Sequence, residues 1–293
     1  MTRFPRTLLL FAAAALTACA AKKETTPAPR AAASAGTALE TEIPLDPQIV
    51  SGKLENGFRY LIRANRKPEK RAEFRLTVDV GSVLEEEDEQ GLAHFAEHMA
   101  FNGTANFAKQ ELIDYLETIG MRFGPDLNAY TGFDETVYML TVPTDSSEFV
   151  DKAFQILEDW AHQVSYDSVE IDKERGVVIE EWRGRRGAGQ RMLDEQLPII
   201  LKDSRYAVRL PIGEKAVLDT FEHATLRDFY TKWYRPELMG FVAVGDFDPE
   251  AMEAKAREHF SRLRRRDDAP ERALYPVPDH EETLFAIATD PEA

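Results

Sequence analysis

Phe74, Leu76, Val78 and Val80 alternate with Arg75, Thr77 and Asp79. That two-residue period predicts a half-buried strand, and Gly81 ends it. Upstream, Asn56-Gly57 divides Gly52-Lys53-Leu54 from Phe58-Arg59-Tyr60-Leu61-Ile62, which predicts a tight hairpin. The period then turns helical. Leu112, Ile113, Tyr115, Leu116 and Ile119 form one apolar side, with Gly120 as the stop. Residues 136–142 read as a strand ending at Pro143. Phe149, Ala153, Phe154, Ile156, Leu157 and Trp160 read as another helix face, closed by His162, which is read as structural. A long charged helix is expected over 168–186, a further helix over 221–233, a buried strand over 239–244 and an amphipathic helix over 249–263. Residues 284–289 look like the start of a strand, which suggests that this chain is part of a longer one.

The two ends of the sequence fall outside this pattern. Arg3 and Arg6 precede an apolar run from Leu8 to Leu16 that is too short to span a bilayer comfortably. Leu16-Thr17-Ala18-Cys19 resembles a bacterial lipobox, in which cleavage precedes a cysteine that becomes lipid-modified; the plainer alternative is a secretory signal with an incidental cysteine. Ala20, rather than Asp, follows, which by analogy with enteric sorting favours an outer-membrane anchor facing the periplasm. Residues 20–45 are rich in Ala, Thr, Pro and Ser without an apolar period, the composition of a disordered tether. The expected organisation is a lipoprotein signal peptide over 1–19, the tether over 20–45, the main folded domain over 46–265, and a linker with the first strand of a following domain over 266–293.

Composition narrows the chemistry. The 293 residues suffice for one large domain or two small ones, and 43% hydrophobic with 30% charged residues fits a globular body. A net charge of −16 argues against nucleic acid, whose phosphates need a basic face. Cys19 is the only cysteine, so a disulfide framework and a thiolate metal site are both excluded. Any metal must be held by histidines and carboxylates.

Such residues cluster at His94-Phe95-Ala96-Glu97-His98. Histidines four apart on a helix place both imidazoles on one side, a turn apart, where they can share a small cation. Glu97, three past His94, suits a carboxylate that reaches a water on the metal rather than the metal itself. This is the zinc-protease pattern in reverse, H-x-x-E-H. The acidic run 85–89 just before it is accounted for by the favourable placement of acids near a helix N-terminus. Glu174 and Glu181 lie seven apart on one face of the charged helix while Glu180 points elsewhere; read alone, this is a solvated acidic face.

The motif stretches together are similar to the insulinase/pitrilysin zinc metallopeptidases, in particular the bacterial periplasmic zinc-protease branch. The resemblance covers about residues 45–293. It is carried by residues 91–104, by Phe123-Gly124-Pro125-Asp126-Leu127-Asn128-Ala129-Tyr130-Thr131 with Thr136-Val137-Tyr138, by Glu174-Arg175-Gly176-Val177-Val178 and Glu180-Glu181-Trp182-Arg183, and by Arg209-Leu210-Pro211-Ile212-Gly213 with Gly245-Asp246-Phe247. It implies an α+β fold, a mixed and largely antiparallel sheet with helices packed on one side. It implies one zinc ion per chain held by His94, His98 and Glu181, with Glu174 orienting a ligand histidine and Glu97 as general base toward a metal-activated water. Glu180 is the alternative third ligand. Asn128, Ala129 and Tyr130 would be the edge strand that pairs with an extended peptide. Family members usually close two homologous halves over a chamber, so a second half, in the same longer chain or a separate subunit, is the implied partner.

The leading expectation is a lipid-anchored zinc endopeptidase of the cell envelope, or its catalytic half, acting on peptides or small proteins. The competing one, from a different class, is a non-catalytic envelope-anchored binding subunit of a two-chain complex. The complete motif argues against it.

Overall fold

The computed structural model describes residues 44–122 and 124–293. Cys19, the signal peptide, and the tether up to residue 43 lie outside the described residues. The strands are β1 (Ile49–Lys53), β2 (Arg59–Ala64), β3 (Arg71–Val78), β4 (Leu127–Thr131), β5 (Thr136–Pro143) and β6 (Met239–Gly245). The helices are α1 (Leu92–Met99), α2 (Lys109–Thr118), α3 (Ser147–His162), α4 (Ser168–Gly184), α5 (Ala188–Ile200), α6 (Lys215–Thr220), α7 (His223–Trp233) and α8 (Pro249–Phe260). The six strands form one sheet in the order β1-β2-β6-β3-β5-β4. Only the β2–β6 pair is parallel; all other neighbours are antiparallel. This is the expected mixed, largely antiparallel sheet.

The alternation along β3 explains how the sheet is used. Ala72, Phe74, Leu76 and Val78 are buried, whereas Arg71, Glu73 and Arg75 are exposed. The helices cover the buried side, and the other side mixes Glu73, Arg75 and Thr77 of β3 with Val242 and Val244 of β6. The core is aromatic: Phe58 stacks on Phe260 at 4.3 Å between ring centroids, and Phe74, Phe154 and Phe241 meet at 5.1–5.5 Å. Trp160 is fully buried on α3 and donates its indole N–H to the carbonyl of Ala100 at 2.9 Å, tying α3 to the end of α1.

Three features depart from the sequence expectations. Helices α5 and α6 were not anticipated; none of the residues of α5 is buried, and Pro198 lies inside it. The segment 284–289 forms no ladder among the described residues and leaves Phe285 and Ile287 largely exposed. The acidic run 85–89 is not merely a dipole feature, because Glu85 is fully buried and Glu89 nearly so.

Candidate active site

Helix α1 starts at Gly91, whose φ of +103° suits glycine and whose neighbour across the chain is Gly213. A Cβ on Gly213 would lie 2.3 Å from the Gly91 Cα, so the two segments meet backbone to backbone. Glu85 caps the helix from a distance in sequence: its two oxygens accept the Gly91 N–H at 3.0 Å and the Ala93 N–H at 2.8 Å. Burial pushes its carboxyl up to about 8 against those two bonds and the nearby charge of Arg209. Arg209 and Arg205 in turn donate to the Glu85 carbonyl. Leu92, Phe95, Ala96 and Met99 face the core, which leaves His94, Glu97 and His98 on the side toward α4 and β4.

Helix α4 is placed by its own contacts. Asp167 caps it by accepting the Val169 N–H at 2.9 Å and the Glu170 N–H at 3.2 Å. Arg175 donates to the carbonyls of Leu218 and Phe221 and sits over the Phe221 ring, 3.9 Å from its centroid. Phe221 also packs edge-on against Phe95 of α1. The register of α4 against α1 is thereby set, and Glu174 and Glu181 both arrive at the histidines.

Nε2 of His94 and Nε2 of His98 are 3.2 Å apart. Oε2 of Glu181 lies 3.6 Å from the first and 3.4 Å from the second. A tetrahedral ion with bonds of about 2.0–2.1 Å to N and O donors has edges of roughly 3.3 Å, so the three atoms sit at the separations of one tetrahedral face. Among the described residues these three side chains are the one group of three or more His, Cys, Asp or Glu within ligating distance of each other. The donor set of two imidazoles and one carboxylate suits zinc and leaves a fourth position open. Glu180 is turned away, 68% exposed at its side chain and paired with Arg183.

Electrostatics divide the histidines. Nδ1 of His98 donates to Oε1 of Glu174 at 2.8 Å, which leaves Nε2 directed at the site. Burial works against charge on His98, but the bonds to Glu174 and Glu181 outweigh it and raise the imidazole to about 9. His94 moves the other way, to about 4, through burial and the neighbouring His98. Its Nδ1 is buried without a hydrogen-bond partner. The bond from His98 holds Glu181 low, at about 2, and Glu174 is also lowered because its bond to His98 prevails over burial.

Glu97 points into the same cavity, is raised by burial, and accepts the Thr131 hydroxyl at 2.6 Å. The cavity, about 790 Å³, is lined by these side chains together with Asn128, Ala129 and Tyr130 of β4. β4 is the last strand of the sheet, so its outer edge is unpaired within it. Thr131, Arg185, Pro211 and Ile212 also line the cavity or its rim and were not singled out in the sequence. The Arg-Leu-Pro-Ile-Gly stretch was noticed, but nothing in it indicated which residue reaches the site.

Comparisons with known proteins bear on the family and the fold. The model for "Insulinase (Peptidase family M16)" matches residues 60–201, and that for "Peptidase M16 inactive domain" matches residues 220–292. The chain is 43% identical over 243 residues to the zinc protease PQQL-like of Arabidopsis thaliana, covering 83% of this chain and 25% of that protein. It is 36% identical over 257 residues to the probable zinc protease PqqL of Escherichia coli, covering 88% of this chain and 28% of that one. The crystal structure of the first half of the periplasmic protease PqqL from Escherichia coli superposes with a TM-score of 0.78 at 36% identity, over 82% of this chain and 51% of that one. The chain thus spans about a quarter of the length of these two curated relatives. With the H-x-x-E-H helix, the facing glutamates and both family models in agreement, the chain belongs to the insulinase family of peptidases.

Proposed function

We propose that this chain is the metal-binding half of a zinc-dependent endopeptidase that hydrolyses peptides in the bacterial cell envelope. The observation that carries the reading is the meeting of His94 Nε2, His98 Nε2 and Glu181 Oε2 at tetrahedral separations beside a buried carboxylate, Glu97. His94, His98 and Glu181 would hold the ion. Zinc bound there would supply Lewis acidity toward a peptide carbonyl and acidify a water. Glu97, raised by burial and steadied by Thr131, is placed to accept that water's proton and pass it to the leaving amine. Glu174 keeps the His98 proton on Nδ1. The free edge of β4 at Asn128, Ala129 and Tyr130 offers backbone groups to an extended peptide.

A partner half is part of the proposal, because relatives of this chain are several times longer. Envelope location is supported by the periplasmic relative, and anchoring through Cys19 by the lipobox-like stretch alone. The test is zinc content and peptide cleavage of the full-length protein, wild type and Glu97→Gln. Metal in both and cleavage only by the wild type is the expected result. Cleavage by the variant at the wild-type rate would remove Glu97 from the mechanism.

A further inference from the structure

Three arginines, Arg183, Arg185 and Arg186, lie at and just past the C-terminal end of α4, and each pairs with a different carboxylate. Arg183 pairs with Glu180. Arg186 pairs with Asp194 of α5 at 2.9 Å and lies over the Trp182 ring, 4.7 Å from its centroid. Arg185 pairs with Oε1 of Glu181, four residues earlier and one turn back. Glu181 is therefore used at both ends. Its Oε2 faces the two imidazoles, and its Oε1 is held by a guanidinium at the C-terminal end of the helix, where a cation is electrostatically favoured.

A carboxylate can bind an ion through one oxygen or through two. The difference matters at a site with three protein ligands, because a second carboxylate oxygen competes for the position that a catalytic site leaves for water. We infer that Arg185 is a positioning residue that holds Glu181 as a one-oxygen ligand and so keeps the fourth position of the metal open. The inference rests on the metal-site reading above and adds to it the device that fixes the mode of ligation. Arg185, like Ile212, lines both the metal cavity and a neighbouring one of about 610 Å³. It is the one arginine of the three that touches a residue of the metal face. As an exposed ion pair the contact adds little to fold stability; its effect is on the direction of one carboxylate, as for other residues that orient metal ligands.

The test uses Co2+ alone as the probe, on this chain as wild type, Arg185→Ala and Arg185→Lys, with the visible absorption spectrum as the readout. The wild-type spectrum should be that of a low-coordinate site. Arg185→Ala should shift or weaken those bands, because the freed Oε1 turns toward the ion, and Arg185→Lys should restore them in large part by keeping a charged donor. In the full-length enzyme the alanine variant should lower kcat with KM little changed. An Arg185→Ala spectrum identical to the wild type overturns the inference while leaving the metal site intact. A wild-type chain that takes up no Co2+ overturns the metal-site reading and this inference with it.

Discussion

The Thr131 hydroxyl donates to Oε2 of Glu97 across 2.6 Å, joining the last residue of the edge strand to the motif helix. That bond favours the ionised carboxylate, while burial opposes it more strongly. Thr131→Val preserves shape and removes the donor. In the full-length protein it should lower kcat by about tenfold, the order expected for losing a hydrogen bond to a charged group, and move the acidic limb of the pH–rate profile upward. Thr131→Ser should restore both. An unchanged profile in the valine variant would show that the bond does not act on Glu97.

Metal uptake should depend on pH through His98. Its imidazole is raised to about 9, so binding the ion below that pH displaces one proton. Apparent affinity should climb about tenfold per pH unit between about pH 5 and pH 9. His94, at about 4, adds a second proton only at the acidic end. The same groups affect the metal-free fold in opposite senses. The raised His98 contributes stability that is complete below its unfolded value of 6.5 and is lost as pH rises through about 9. The depressed His94 and Glu181 contribute stability present above 6.5 and 4.5, lost as pH falls through about 4 and about 2. Metal titrations in buffers of different protonation enthalpy count the released proton directly.

Removing Glu174 should weaken the metal site without unfolding the protein. Glu174→Ala takes away the acceptor of the His98 Nδ1–H, and loss of such a partner costs roughly 10–100-fold in metal affinity. Competition against a chelator of known affinity measures it. Equal affinity in wild type and variant would mean that packing alone orients His98.

The start of α1 should be the most sensitive backbone position near the site. Glu85→Ala leaves the Gly91 and Ala93 N–H groups without their acceptor in a fully buried place and should destabilise the fold by about 2 kcal/mol. Gly213→Ala should be at least as damaging, since its Cβ would overlap backbone at Gly91. Thermal unfolding of the two variants, with and without metal, reads both effects.

The local part of this site was legible in the sequence and the tertiary part was not. His94 and His98 lie on one turn of one helix, so spacing alone places them together. Glu181 is 83 residues beyond His98, and its own periodicity said only that it shares a face with Glu174. Its arrival depends on Arg175 gripping the Leu218 and Phe221 carbonyls, a contact that no pattern in the charged helix announces. Thr131 reaches Glu97 because β4 pairs with β5 in a register that sets Thr131 against Thr136, a product of sheet order rather than of composition. Likewise β6 reads as a buried strand from Met239 onward, but its seat between β2 and β3 is decided by packing against Phe74 and Phe154. Glu85 looked like one of five similar acids; only the bend that leads into α1 makes it the cap.

Metal stoichiometry in three versions of this chain tests the account most directly: wild type, Glu181→Ala and Glu180→Ala, each dialysed against limiting zinc and analysed by elemental mass spectrometry. Wild type and Glu180→Ala should retain one zinc per chain, and Glu181→Ala should lose it. Zinc retained by Glu181→Ala at the wild-type level, or absent from all three, would contradict the assignment.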